Sequence, residues 1–473
     1  MNGVANALLT ATLLALLYGV WRVLTTVDVV FDAWTAVVVL AGLVAAGLLA
    51  LLFVRFPNKL NLSILAASLA VGFVGGTYIL SMSGRDLIAI FDAKVARPVA
   101  GAAQAKLAVP NKSPAAAPPE HVSGRPRDAR TELQVSDDLA AAGIVHQQMR
   151  TPPLLYPVMD TSQGLPFFPL SMGSHMATIA CNEGEQREFP IWHTDRYGYN
   201  NDDTVYARKN LTMIVGGSFS LGSCVQQEEN IAGVLRRNGY PAFSAGIGQF
   251  GPVAALATLK EYGEHIQPKV VVLQYFDPND VAILPRRELR SRIILQYLND
   301  GFSQNLIERQ PEVDKFWRDA EPLIRAYEDG FLASKEDQAK WETKLDENLE
   351  LVRSLLGRDL KSLRDDDDAL RIYERVVGRA QKLVTSWGGR MVLLMTPNAD
   401  TYFSGTVPRY KNAVNGIMRR LGIPVLDMDP VMRATGDPLQ YYPRKGRGAD
   451  HFNPEGYAVA ARLIMATLDG DAQ

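Results

Sequence analysis

Only two cysteines, Cys181 and Cys224, and six histidines occur in 473 residues. His and Cys never fall at the spacings that ligate zinc, so no metal site is expected, and no cofactor-binding motif is read. A basic surplus is also missing: 49 Lys and Arg stand against 51 Asp and Glu, a net charge of -2. Binding along a phosphate backbone needs a strongly basic face, which excludes nucleic acid as the expected partner.

Charge of either sign is absent from three runs near the start, residues 4–21, 33–54 and 62–82. Each approaches the ~20 apolar residues that a helix needs to cross a bilayer core, so residues 1–84 are expected to form three transmembrane helices. The first run lacks the basic start and small-residue cleavage site of a removed signal peptide. Arg55 and Lys59 lie between the second and third runs, whereas Asp28 and Asp32 lie between the first and second. Positive residues stay inside, so this pattern puts everything after Met82 outside the cytoplasm. The expectation is a multi-pass cell-membrane protein with its large domain on the periplasmic side. Both cysteines belong to that domain, and in an oxidising compartment they can form a disulfide, the alternative being two buried free thiols. A bridge would contribute ~3 to 4 kcal/mol on the chain-entropy model.

Residues 85–130 are rich in Ala, Pro and Lys, as in Pro-Ala-Ala-Ala-Pro-Pro at 114–119, and read as an extended, solvated linker. Residues 131–207 hold many turn formers and no long periodic run, which suggests a loop-rich lead-in with short strands. From 208 to 473 the chain alternates strand-like runs (211–215, 241–244, 270–275, 391–395 and 424–426) with helical stretches. This alternation predicts a parallel sheet covered on both sides, a three-layer α/β/α domain. A charged helical region at about 300–382, with Trp317 and Trp341, is expected as an insert over the edge of the sheet. The acidic run at 365–368 lacks the alternating ligands and turn glycine of a calcium loop and reads as a helix start.

Four segments follow strands, at the end where open parallel sheets bind ligands. Gly216, Gly217 and Ser218 follow the first strand, and small neighbours let a serine sit on a tight turn with its hydroxyl exposed. Gly246, Gly248 and Gly251 follow the weaker second run and can present backbone N–H groups. Asn279 and Asp280 follow the third, and Asn279 can offer a side-chain amide. Preorganised donors of this kind stabilise the oxyanion of acyl transfer. Near the end, Asp450, His451, Asn453 and Gly456 precede a terminal helix, and histidine is the usual general base for serine.

In this order the four segments resemble the blocks of the SGNH, or GDSL-like, hydrolase superfamily over residues 195–466. Cys181-Asn182-Glu183 and the run Asp195-Arg196-Tyr197-Gly198-Tyr199-Asn200-Asn201 resemble the lead-in of SGNH proteins associated with bacterial envelope polysaccharides. The resemblance implies Ser218 as nucleophile, His451 as general base, and Gly248 or its neighbour Gly251 with Asn279 completing an oxyanion hole around the Ser218 N–H. It departs in two places. Gly217 stands where the family has Asp, and Gly448 stands where the family's histidine-orienting acid lies. Asp450 is then the candidate acid, with a Ser-His dyad or an acid from elsewhere as alternatives. The implied function is a membrane-tethered serine esterase acting on O-acyl esters, acetyl above all, of an envelope or exported glycan. Two other readings stand beside it: a glycan O-acetyltransferase served by a membrane acyl-donor protein, and a non-catalytic glycan-binding or assembly module.

Overall fold

The computed structural model describes residues 128, 130–149, 167–183, 189–277, 279–329, 335–405, 407–443 and 451–470. The three expected membrane spans and nearly all of the expected linker lie outside these residues. No helix among the described residues is long and apolar enough to cross a membrane.

The lead-in opens with the helix Glu132–Ala141, started by a capping box in which Thr131 and Gln134 satisfy each other's backbone N–H groups. Three short strands follow: β1 (His146–Gln148), β2 (Ala177–Ile179) and β3 (Ile191–His193). β2 is central, pairing parallel with β1 and antiparallel with β3.

The main sheet contains β4 (Thr212–Gly216), β5 (Ala242–Gly246), β6 (Val270–Phe276), β7 (Arg390–Thr396) and β8 (Val425–Asp427). All four pairings are parallel, in the order β5-β4-β6-β7-β8. Strands such as Val-Val-Val-Leu at the start of β6 read as continuous apolar runs because both faces are covered. Alternation along the strands divides them between two cores. Met213, Val215, Val271, Leu273 and Leu393 pack with the helices Pro252–Thr258 and Asp366–Ser386. Ile214, Val272, Val392 and Leu394 pack with Ile231–Arg237 and Pro454–Gly470. Burying each of these side chains is worth about 1.5–3 kcal/mol, which holds the sheet between its helical layers. The result is the expected α/β/α arrangement. β5 and β6 flank β4 on opposite sides, so the chain reverses direction across the sheet there, opening a crevice beyond the carboxyl ends of β4 and β6.

The helical insert is shorter than the expected 300–382. Gln310–Asp329 and Lys335–Leu356 are additional to the layered fold, but Asp366–Ser386 is one of its layers. Ile372, Tyr373, Val376, Val377, Ala380 and Val384 form its buried stripe, a helical period hidden among charged neighbours. The insert also joins the main core through Val313, Trp317 and Val352, and the Trp317 indole N–H donates to the Ser171 carbonyl at 2.8 Å. Its packing is therefore internal as well as peripheral. The acidic run does start a helix: Asp365 caps it, and buried Asp368 accepts from the Lys361 and Ser362 N–H groups.

Candidate active site

Ser218 begins the short helix Ser218–Leu221 immediately beyond β4. The turn depends on Gly216, whose φ of +144° disfavours any side chain. A Cβ at Gly216 would lie 2.9 Å from the Gln274 carbonyl, and one at Gly246 would lie 2.3 Å from the Ser220 Cβ. The ends of β5 and β6 thus press against the serine turn. Leu221 N–H donates to the Gly217 carbonyl, and Gly222 and Ser223 N–H both donate to Ser218's carbonyl. The Ser218 N–H has no acceptor among the described residues.

The turn is also held from β6 by a neutral side chain. Buried Gln274 accepts the Gly217 N–H at 3.2 Å and the Ser220 hydroxyl at 3.4 Å, while its amide donates to Thr396. The lead-in run beginning at Asp195 braces the same turn from beneath. Asn200 donates to the Leu221 carbonyl, and Asn201 exchanges two hydrogen bonds with Ser244 on β5. Asp195 accepts from Asn201, Tyr206 and the Tyr197 and Tyr199 N–H groups, and burial pushes its carboxyl up to about 6. Asp195, Asn200 and Asn201 are buried, and their contacts hold the turn and β5 together.

Beyond β5, Gly248 is buried with no acceptor for its N–H among the described residues, so it remains a donor candidate. Gln249, at φ +66°, takes a left-handed conformation. Gly251 does not join the set. Its N–H donates to Glu288 Oε1 at 3.0 Å, and the same carboxylate accepts from the Val253 and Ala254 N–H groups. Gly251 is therefore a helix start held by a buried acid, whose pKa burial pushes up to about 7. Beyond β6, half-buried Asn279 opens the helix Asn279–Arg286, and its side chain makes no hydrogen bond among the described residues. The adjacent carboxylates are structural: Asp280 accepts the Phe276 N–H, and Asp277 accepts from the Tyr275 hydroxyl and the Tyr410 N–H.

His451 reaches the serine turn through Phe219, the residue after the serine, with ring centroids 5.3 Å apart. Phe219 is itself fixed by Phe276 and Phe452. No hydrogen bond joins Ser218 to His451 among the described residues, and such contacts often tighten only with substrate in place. The imidazole has an acid partner that the motif reading passed over. Glu183 Oε1 lies 2.5 Å from His451 Nδ1, and Glu183 Oε2 accepts the His451 backbone N–H at 3.1 Å. An ionised carboxylate only accepts, so Nδ1 carries the proton and the lone pair is left on Nε2. Asp450, the adjacent candidate, lies outside the described residues.

Cys181 and Cys224 are disulfide-bonded with Cα atoms 4.6 Å apart. Their loop separation of 43 residues corresponds to about 4 kcal/mol on the chain-entropy model. Cys181, Glu183, Cys224 and His451 are the one His, Cys and acid cluster among the described residues with ligand atoms close enough for a metal ion. With both sulfurs joined to each other, that set does not offer thiolates.

Gln274 and Glu183 were the site residues missed in the sequence. Glu183 had one signal: it stands two positions after a cysteine within a lead-in already singled out.

No family model matches the chain, and no curated protein matches it by sequence. Among solved structures, it is similar to a two-domain esterase active on acetylated mannans, co-crystallised with mannopentaose, at 15% identity and a TM-score of 0.29. That match covers 57% of this chain and 51% of the other, so the chain spans about half the esterase's length. A second similarity is to a Bacteroides fragilis NCTC 9343 protein provisionally described as an acylhydrolase, at 13% identity and a TM-score of 0.25, covering 58% of this chain and 91% of that one. Likeness at this level leaves the chemistry to be argued from the chain's own geometry.

Proposed function

We propose that this chain is a membrane-tethered serine ester hydrolase that removes O-acyl groups, acetyl above all, from an envelope or exported glycan. The supporting observation is the Glu183-His451 pair lodged against Phe219, one residue from a serine that begins a helix at the crevice of a parallel sheet.

In this reading His451 Nε2 takes the Ser218 Oγ proton as the oxygen attacks the ester carbonyl. The Ser218 N–H, the Gly248 N–H and the Asn279 amide receive the developing oxyanion. The imidazolium, stabilised by Glu183, then protonates the departing sugar oxygen, and the acyl group stays on Ser218. Water activated by the same imidazole releases the acid and restores the serine. The tether and the glycan are carried by the uncharged runs of residues 1–84 and by the resemblance of the lead-in.

The test is hydrolysis of an aryl acetate by the full chain, with and without a glycan acceptor. Release of acetate that disappears in Ser218→Ala is expected. Acetylated acceptor in place of acetate would make the protein a transferase, and turnover equal to native in Ser218→Ala would remove the serine mechanism.

A further inference from the structure

We propose that the Cys181–Cys224 disulfide is a positioning device for turnover, holding Glu183 on His451, so that a dithiol reductant slows the enzyme. This rests on the Ser218-His451 reading above and adds its regulation.

Three segments distant in sequence converge on the imidazole. The lead-in contributes Glu183, two residues beyond Cys181 and three beyond Ala180, whose N–H donates to the Pro190 carbonyl. The serine turn contributes Cys224, two residues beyond the left-handed Gly222 that closes the helix Ser218–Leu221. Cys224 is itself left-handed at φ +63°, a conformation that a non-glycine residue keeps when its surroundings impose it. The third segment is His451 and the helix behind it, whose Tyr457 hydroxyl donates to the Ser223 carbonyl at 3.0 Å. Cys224 Sγ lies 3.6 Å from His451 Nδ1, the nitrogen that Glu183 engages. The bond therefore joins the arm carrying the acid directly to the turn carrying the nucleophile, at the atom where acid and base meet.

Glu183 and His451 are 268 positions apart, and the Glu183 side chain is 19% exposed. Water competes for a carboxylate in that position, and a covalent link two residues away removes most of the freedom it would otherwise regain. Opening the link is a two-electron exchange. One thiolate of the dithiol attacks a sulfur of the bridge, its second thiol resolves the mixed disulfide, and the dithiol leaves as a cyclic disulfide. Cys181 and Cys224 remain as thiols, and no bond at Ser218 or His451 changes.

The experiment uses the full oxidised chain, the paired variant Cys181→Ser with Cys224→Ser, Glu183→Gln, and all three substitutions together. Aryl acetate turnover is measured alongside nitrogen NMR of histidine-labelled protein, with His451 assigned by its loss in His451→Ala. The paired variant should lose at least about tenfold in kcat with KM unchanged, a part of the ~10²–10⁴-fold that a positioned acid-base group supplies. The triple variant should be no slower than Glu183→Gln alone, because the bond acts through the acid. The low-field Nδ1 proton of His451 should vanish in both. Native chain treated with a dithiol should behave like the paired variant and recover on reoxidation, which covers the case in which the serines impair folding. A chelator is included in that arm, since the opened thiols, Glu183 and His451 would offer four ligand atoms within 4.8 Å of one another. Native kcat with a retained Nδ1 signal after the bridge is removed, or a loss that adds to that of Glu183→Gln, overturns the proposal. Turnover that survives Ser218→Ala would instead defeat the serine reading, while the Nδ1 signal would still decide whether the bridge holds Glu183 on His451.

Discussion

Glu183 grips His451 at two points, the imidazole Nδ1 through one carboxylate oxygen and the backbone N–H through the other. A single side chain thereby fixes the tautomer, the ring and the start of the segment that carries the imidazole. Glu183→Gln keeps the shape but can turn its amide N–H toward Nδ1, which favours the wrong tautomer. We expect kcat for an aryl acetate to fall about 10²–10⁴-fold in Glu183→Gln with KM little changed. Asp450→Ala should stay close to native. The two kcat values check the assignment, and a larger loss at Asp450 would return the acid's role to that residue.

Gln274 bridges the serine turn to β7 by accepting from Gly217 and Ser220 and donating to Thr396. Gln274→Leu strands two donors in a buried place, at a cost of about 1–3 kcal/mol each if nothing relaxes. Urea unfolding should show the lower midpoint, and kcat should fall because the turn is no longer braced. Gln274→Glu tests the same acceptor with a charge, and a variant that retains native stability and kcat as Leu would rule out the brace.

The layered fold was legible because apolar runs such as 270–275 and 391–395 are buried on both faces and need no polar alternation. The serine turn and Asn279 were legible as glycine-rich or polar segments after strands, whereas His451 precedes the terminal helix as read but follows the helices Met428–Arg433 and Pro438–Tyr441 rather than a strand. What escaped was non-local. Glu183 meets His451 across 268 positions, and Gln274 looks like a polar interruption of an apolar strand until β4 is set beside it. The stripe of Asp366–Ser386 was masked by its charged outer face, so the helix read as insert rather than layer. Gly251 shared a glycine-loop appearance with Gly248, and only the distant Glu288 distinguishes them.

Gly246 is a packing constraint at the same turn. Its missing Cβ would sit 2.3 Å from the Ser220 Cβ and 2.5 Å from the Leu221 N. Gly246→Ala must therefore displace the helix that begins with Ser218. A loss of about 1–3 kcal/mol from overpacking is expected in thermal or urea unfolding, with kcat reduced as the nucleophile shifts. Gly239→Ala, where no atom lies within 4 Å but φ is +87°, separates backbone strain from crowding.

Glu288 gives the stability of the domain a pH dependence of known sign. Burial raises its folded pKa to about 7 from an ordinary 4.5, so the folded state holds a proton that the unfolded state has released over that window. Stability from this group is therefore highest below about pH 4.5 and falls as pH rises toward 7, by at most about 3 kcal/mol. Urea unfolding of native protein and Glu288→Gln across this range should show the slope flattened in the variant. An unchanged slope would assign it to other buried carboxyls such as Asp195.

Asn279 separates an oxyanion hole from an ordinary helix start. Its side chain has no hydrogen-bond partner among the described residues, and it opens the helix that follows β6, the strand paired with β4 whose end carries Ser218. A donor that meets charge only as the tetrahedral intermediate forms contributes to kcat and little to ground-state binding. Asn279→Ala should therefore lower kcat about 10²–10³-fold with nearly native KM. Asn279→Asp should fall further, because a carboxylate facing the developing oxyanion repels it. If the amide served only the helix start, Asp would substitute well, since acids stabilise helix N-termini, and kcat would follow stability rather than oppose it. Steady-state kinetics and urea unfolding on the two variants decide between these outcomes: native kcat in Asn279→Asp with raised stability would remove Asn279 from the oxyanion hole.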